Sequence, residues 1–163
     1  MDVSTFYALF SATCFTLTGL WWNVVQNHPA WLGEPGMRRR VGSVYLAFLL
    51  PALMGLFAQI GGAESPAFWR ASFVGIAVLG CASTVALLRR ARATGGAGTV
   101  VHYWRGTAVL YVVVAVVGVA PELALSLGMT PLQAEATLLV LLVVLAHALV
   151  WEFMTHDAYA QVP

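Results

Sequence analysis

Residues 131–154 read PLQAEATLLVLLVVLAHALVWEFM, a stretch whose only acids are Glu135 and Glu152 and whose only histidine is His147. A bilayer core about 30 Å thick is crossed by roughly 20 mostly apolar residues rising about 1.5 Å each, so this stretch is long enough to span one. Its start is also marked. Thr130 suits an N-cap, Pro131 the first helical position, and Gln133 can return a side-chain bond to the cap, which together make a capping box.

Working outward from that helix, four further stretches meet the same length criterion: about 5–26, 41–60, 67–88 and 106–129. The expected fold class is therefore all-α: a single polytopic membrane domain over 1–163, a bundle of five transmembrane helices. Composition agrees. Of 163 residues 60% are hydrophobic and 9% charged, against about 25% charged in soluble domains. A soluble core of this size could not cover itself with so few polar residues. The balance also excludes a disordered chain or a nucleic-acid binder. All eight basic residues are Arg and none is Lys, so neither a Schiff-base lysine nor a phosphate-loop lysine exists.

The arginines predict orientation. Arg38, Arg39 and Arg40 fall between spans one and two, and Arg89, Arg90, Arg92 and Arg105 between spans three and four. Only Arg70 lies on the other side. The positive-inside rule then places the N-terminus outside and the C-terminus in the cytoplasm, in a plasma or bacterial inner membrane. The Met1-Asp2 start lacks a basic leader, so the first stretch is expected to be a true span.

Polar residues within spans are costly and normally face other helices or a wet cavity. In span one, Ser4, Tyr7, Ser11, Cys14, Thr18, Trp22 and Gln26 follow spacings of three and four, with Asn23 just off the stripe. Such a stripe is either packing glue between close helices or the lining of a polar path. Pro51 is expected to kink span two, where Gln59 shares a face with Tyr45. Tyr103, Thr107, Tyr111, Val114, Gly118 and Glu122 would share one face if span four runs to Met129 with a kink at Pro121. In that case Glu122 and Glu135 lie about 10 Å and 6 Å from the turn joining spans four and five. Two such acids would share a proton or hold a cation. Alternatively Glu135 reaches back to water and Glu122 pairs with Arg70, or span four ends at Pro121 and leaves Glu122 in an interfacial loop.

His147 is the one histidine well inside a span; a bis-His haem would need a second at its depth, and none is available. Glu152 and His156 stand four apart and form a weak metal candidate, with Asp157, His28 and His102 toward the same end. No resident cofactor is expected. The chain has no CxxC pair, no Thr-Val-Gly-Tyr-Gly filter, no HExxH and no GxSxG elbow. These observations point to an ion or proton pathway, channel or transporter, built as a homo-oligomer in the lipid bilayer and not as an enzyme. Its expected transport or binding residues are Glu122, Glu135, His147, Gln59, Asn23, Thr18, Ser11 and Tyr111. The alternatives are a non-catalytic subunit or assembly partner of a larger membrane complex, and an enzyme acting on a lipid or quinone.

Overall fold

The computed structural model describes residues 2–61, 65–93 and 98–160, apart from the side chains at 91, 98–100 and 156–160. Seven helices lie in these residues: α1 (Val3–Gln26), α2 (Ala30–Gly33), α3 (Pro35–Gly61), α4 (Pro66–Ala93), α5 (Gly98–Val119), α6 (Glu122–Ser126) and α7 (Pro131–Ala160). Five of them are long and apolar enough to cross a membrane, and α2 and α6 are short connectors. The all-helical architecture read from the sequence, with five helices able to span a membrane, is thus present.

Helix α3 is the hub. It packs against α1, α4 and α7, while α5 closes the arrangement against α4 and α7. More than half of its apolar window (56%) is buried, against 17–28% for the other four. That burial accounts for Pro51. The helix continues through it, and Pro51 lies buried among neighbouring helices, where other groups can take up the carbonyl its ring leaves unbonded.

Close approach is achieved with glycine. A Cβ on Gly55 of α3 would stand 2.5 Å from the Ser11 hydroxyl of α1. One on Gly80 of α4 would stand 2.5 Å from the Tyr111 ring of α5, and one on Gly118 of α5 would stand 2.9 Å from Val74 of α4. Lipid tails are as apolar as leucine, so contact quality rather than water exclusion drives helix association, and small residues permit it. An apolar cluster fills the centre, with Met54, Phe73, Val114 and Leu139 fully buried. A second cluster lies near the arginine-rich end around Trp21 and Trp31, with Phe153 packed edge-on against both rings. There the Trp21 indole donates to the Val41 carbonyl at 3.1 Å.

The structure differs from the expected course of span four. Helix α5 stops at Val119, Ala120 makes its last bond to the Val116 carbonyl at 2.8 Å, and a separate one-turn helix follows Pro121. Proline has no N–H to donate and its ring pushes the preceding residue out of the helical region, and the carbonyls left free here find donors in Arg70, so the helix ends instead of kinking. Helix α6 then closes with the Met129 N–H bonded to the Ala124 carbonyl and the Gly128 N–H to that of Leu125, with Gly128 at φ 73°. This is a Schellman ending, and the left-handed residue is the one without a side chain. The capping box at the next helix forms as read: the Gln133 N–H donates to the Thr130 hydroxyl (3.3 Å) and the Thr130 N–H to the Gln133 side chain (3.0 Å).

Because the Tyr111 ring occupies the space a side chain at Gly80 would need, Gly80→Val should lower stability by about 1–3 kcal/mol. Thermal unfolding of the detergent-solubilised protein measures this, and an unchanged midpoint would contradict the packing described.

Candidate functional site

The end of the bundle bearing Arg70 holds the only acid among the described residues taken wholly out of contact with solvent. Glu135 is four residues into α7, about 6 Å along the axis, and is 0% exposed. Neither of its carboxylate oxygens has a hydrogen-bond partner. A buried carboxylate normally accepts two or more bonds or pairs with a cation, because an unpaired charge removed from water carries a large desolvation cost. Here the neighbours are the wrong kind. The nearby Tyr7 hydroxyl donates to the Leu132 carbonyl at 2.8 Å, so its proton is committed. The backbone at Gly118 is close on another side, where a Cβ would stand 3.9 Å from Glu135 Oε1 and 3.6 Å from the Arg70 carbonyl oxygen. The Tyr7 hydroxyl can therefore offer the carboxyl lone pairs but no proton. Such a site takes a proton or a cation.

Arg70 is adjacent but engaged. Its Nε donates to the Gly118 carbonyl at 2.8 Å and its terminal amine to that of Val119 at 2.7 Å. These carbonyls are among those α5 leaves unbonded when it stops. A cation at a helix C-terminus is favoured by the dipole as well. Arg70 thus ties α4 to the end of α5, and this is the role it takes in place of pairing with Glu122. Glu122 itself is exposed, in the first turn of α6 outside α5. The two acids have opposite surroundings, one solvent-facing and one enclosed, and Glu135 does not reach back to water.

The other expected residues scatter. Ser11 is buried with an unpartnered hydroxyl, packed into the notch left by Gly55. Thr18 is buried and bonds back to the Cys14 carbonyl at 2.8 Å, whereas Trp22 and Gln26 farther along the span-one stripe are exposed. Asn23 is exposed at the end of α1 and accepts from the Asn27 side chain. Gln59 is half-buried near the end of α3. Tyr111 is buried at mid-depth against Gly80. His147 faces outward from the bundle, its Nδ1 donating to the Val143 carbonyl at 2.8 Å and its ring edge-on to Phe48. Glu152 is half-buried, whereas the side chains of His156 and Asp157 lie outside those described. His28 stacks on Trp31 at 4.3 Å.

Two participants escaped the sequence reading. Tyr7 was visible as a stripe member, four residues before Ser11, but nothing local announced its bond across 125 positions to Leu132. Gly118 had a signal only in being a glycine within a valine-rich span. No known protein family, curated protein or solved structure matches this chain.

A buried carboxyl without partners is a cost to the fold. Glu135→Leu, similar in volume, should raise stability by about 1–3 kcal/mol, while Tyr7→Phe should lower it by about 1 kcal/mol through loss of the bond to Leu132. Chemical or thermal unfolding of both variants checks the contrast. A destabilised Glu135→Leu would mean that the carboxyl has a bonding partner after all.

Proposed function

We propose that this protein is a proton pathway across the membrane, with Glu135 as the group that binds and releases the proton. The observation carrying this reading is that both Glu135 oxygens are buried and unpartnered one turn inside a membrane helix. An acid in such a position costs stability without supporting the fold, and intramembrane acids of this kind serve transport. A lone carboxyl suits a proton better than a metal ion, because among the described residues no three His, Cys, Asp or Glu groups converge.

The path is gated. Between Glu135 and the arginine-rich end stands the layer of Met54, Phe73, Val114 and Leu139, all fully buried, which offers a proton no hydrogen-bonded route. Passage therefore requires helix movement, as in a transporter with alternating access, and not an open pore. The arginine-rich end is assigned to the cytoplasm by the positive-inside rule, which puts Glu135 near the outer face of a plasma or bacterial inner membrane.

His147 favours assembly with further chains. With Nδ1–H given to Val143, a neutral imidazole leaves Nε2 as an acceptor on an outward-facing residue at membrane depth. A donor from an adjoining helix would satisfy it, whether from a second copy of this chain or from another subunit of a larger complex.

Reconstituted in proteoliposomes with a trapped pH-sensitive dye, the wild-type protein should dissipate an imposed proton gradient. Glu135→Gln should slow this at least about tenfold, a barrier increase near 1.4 kcal/mol, while Glu122→Gln should leave it unchanged. Absence of flux in the wild type, or full flux in Glu135→Gln, would overturn the reading.

A further inference from the structure

On the far side of the apolar layer from Glu135, α3, α4 and α5 form a small, partly open cavity where Ser43, Ser83, Thr84, Trp104, Thr107 and Tyr111 meet apolar walls from Leu46, Ala47, Leu50 and Leu87. Five hydroxyl-bearing residues around one void in a membrane bundle need an account, because each could have been an apolar residue of similar size at no cost in packing.

Their hydrogen bonds supply it. Ser43 donates to the Arg40 carbonyl (2.6 Å), Ser83 and Thr84 both to that of Gly80 (2.9 and 2.7 Å), and Thr107 to that of Tyr103 (2.9 Å). Four hydroxyls have thus returned their protons to their own helices, leaving oxygen lone pairs as what they can offer. Tyr111 differs. Its hydroxyl forms no hydrogen bond within the described residues, so it still has a proton to donate. These acceptors, with the Tyr111 hydroxyl and the Trp104 indole N–H as donors, are complementary to a molecule that both donates and accepts. The void measures about 20 Å³, enough for one water, which needs about 10–15 Å³, and too small for a lipid headgroup. All the lining groups are neutral, which disfavours a desolvated cation.

We infer that this cavity holds a single ordered water, donating to the serine and threonine oxygens and accepting from Tyr111, and that this water is the proton station on the arginine-rich side of the apolar layer. The relay role rests on the proton-pathway reading above; the water itself does not. Tyr111 lies seven residues before Gly118 on α5, about 10 Å along the axis, so the station and Glu135 flank the layer that must open. In one transfer, with the layer open, the Glu135 carboxyl gives its proton to the water as the water gives one of its own to bulk water at the arginine-rich end, so that Glu135 is left a carboxylate and the water neutral. Glu135 then regains a proton from the opposite face.

Radiolytic hydroxyl-radical labelling of the full-length protein in detergent tests the water, since a bound water oxidises the side chains beside it. Tyr111 should be labelled at least about fivefold faster than Phe73 and Leu139 of the apolar layer. Thr84→Val and Thr107→Val, each close in shape to the residue it replaces, should abolish that excess and slow proteoliposome flux about tenfold. Labelling of Tyr111 no faster than of Phe73 would overturn the bound water. Excess labelling together with unchanged flux in both variants would overturn the relay role, and excess labelling of a wild type that carries no flux would overturn the pathway reading while retaining the water.

Discussion

Lipid supplies no hydrogen bonds, so any helix that stops inside or at the edge of a bilayer must have its last carbonyls satisfied by the protein itself. In this chain that requirement falls at Val119, where Pro121 ends α5. The Arg70 guanidinium meets it by donating to Gly118 and Val119. Much of the upper bundle follows. The bond fixes the register of α4 against α5, which brings Val74 onto Gly118 and, further along, Tyr111 onto Gly80. With α5 held there, the Gly118 backbone becomes part of the wall around Glu135. A helix-end problem and a buried acid are thus solved, and created, by the same contact.

The same constraint sets the relative cost of the acids. Glu122 lies beyond the break, at the N-terminal turn of α6, where exposure to solvent and a favourable dipole make it inexpensive. Glu135 also starts near a helix N-terminus, yet the capping box at Thr130 and Gln133 already satisfies part of that first turn, and Glu135 is directed into the bundle instead. A fold under selection for stability alone would place leucine there. The polar groups within the spans otherwise follow a thrifty pattern: Thr13, Thr16, Thr18, Ser72, Thr84 and Thr107 all bond back to their own helices. Among the described residues, Glu135 and Ser11 stand apart in having fully buried oxygens with no hydrogen-bond partner. For Ser11 the tight fit against Gly55 is a sufficient reason; for Glu135 packing offers none.

How far the sequence could be read depended on whether a feature was set locally. The presence of five spans, the Thr130–Gln133 box and the clustering of arginines at one end are properties of neighbouring residues, and each was legible. The Pro121 break was legible only as a pair of options, a kink or an end, because the choice depended on whether a donor was available for the freed carbonyls. That donor is Arg70, 48 positions away. Helical periodicity placed Tyr103, Thr107, Tyr111, Val114 and Gly118 on one stripe, but it could not say which neighbour the stripe would meet. The same blindness covered His147, whose stripe on α7 faces away from the bundle, and Glu135, whose side faces Tyr7 and Gly118. Depth can be counted from a turn; facing cannot.

The arrangement also constrains how Glu135 could ever change its exposure. Its cover is partly the Gly118 backbone, which is held against Val74 and joined to Arg70, so α5 cannot rotate or slide on α4 without disturbing that cover. Farther down the same seam, Tyr111 is seated on Gly80, and any such movement shifts its hydroxyl at the small cavity. The two polar sites on either side of the apolar layer are therefore mechanically linked through one helix pair. A rigid-body shift of α5 on α4 would act on both at once, and the proposed pathway would need that coupling, one end opening while the other closes.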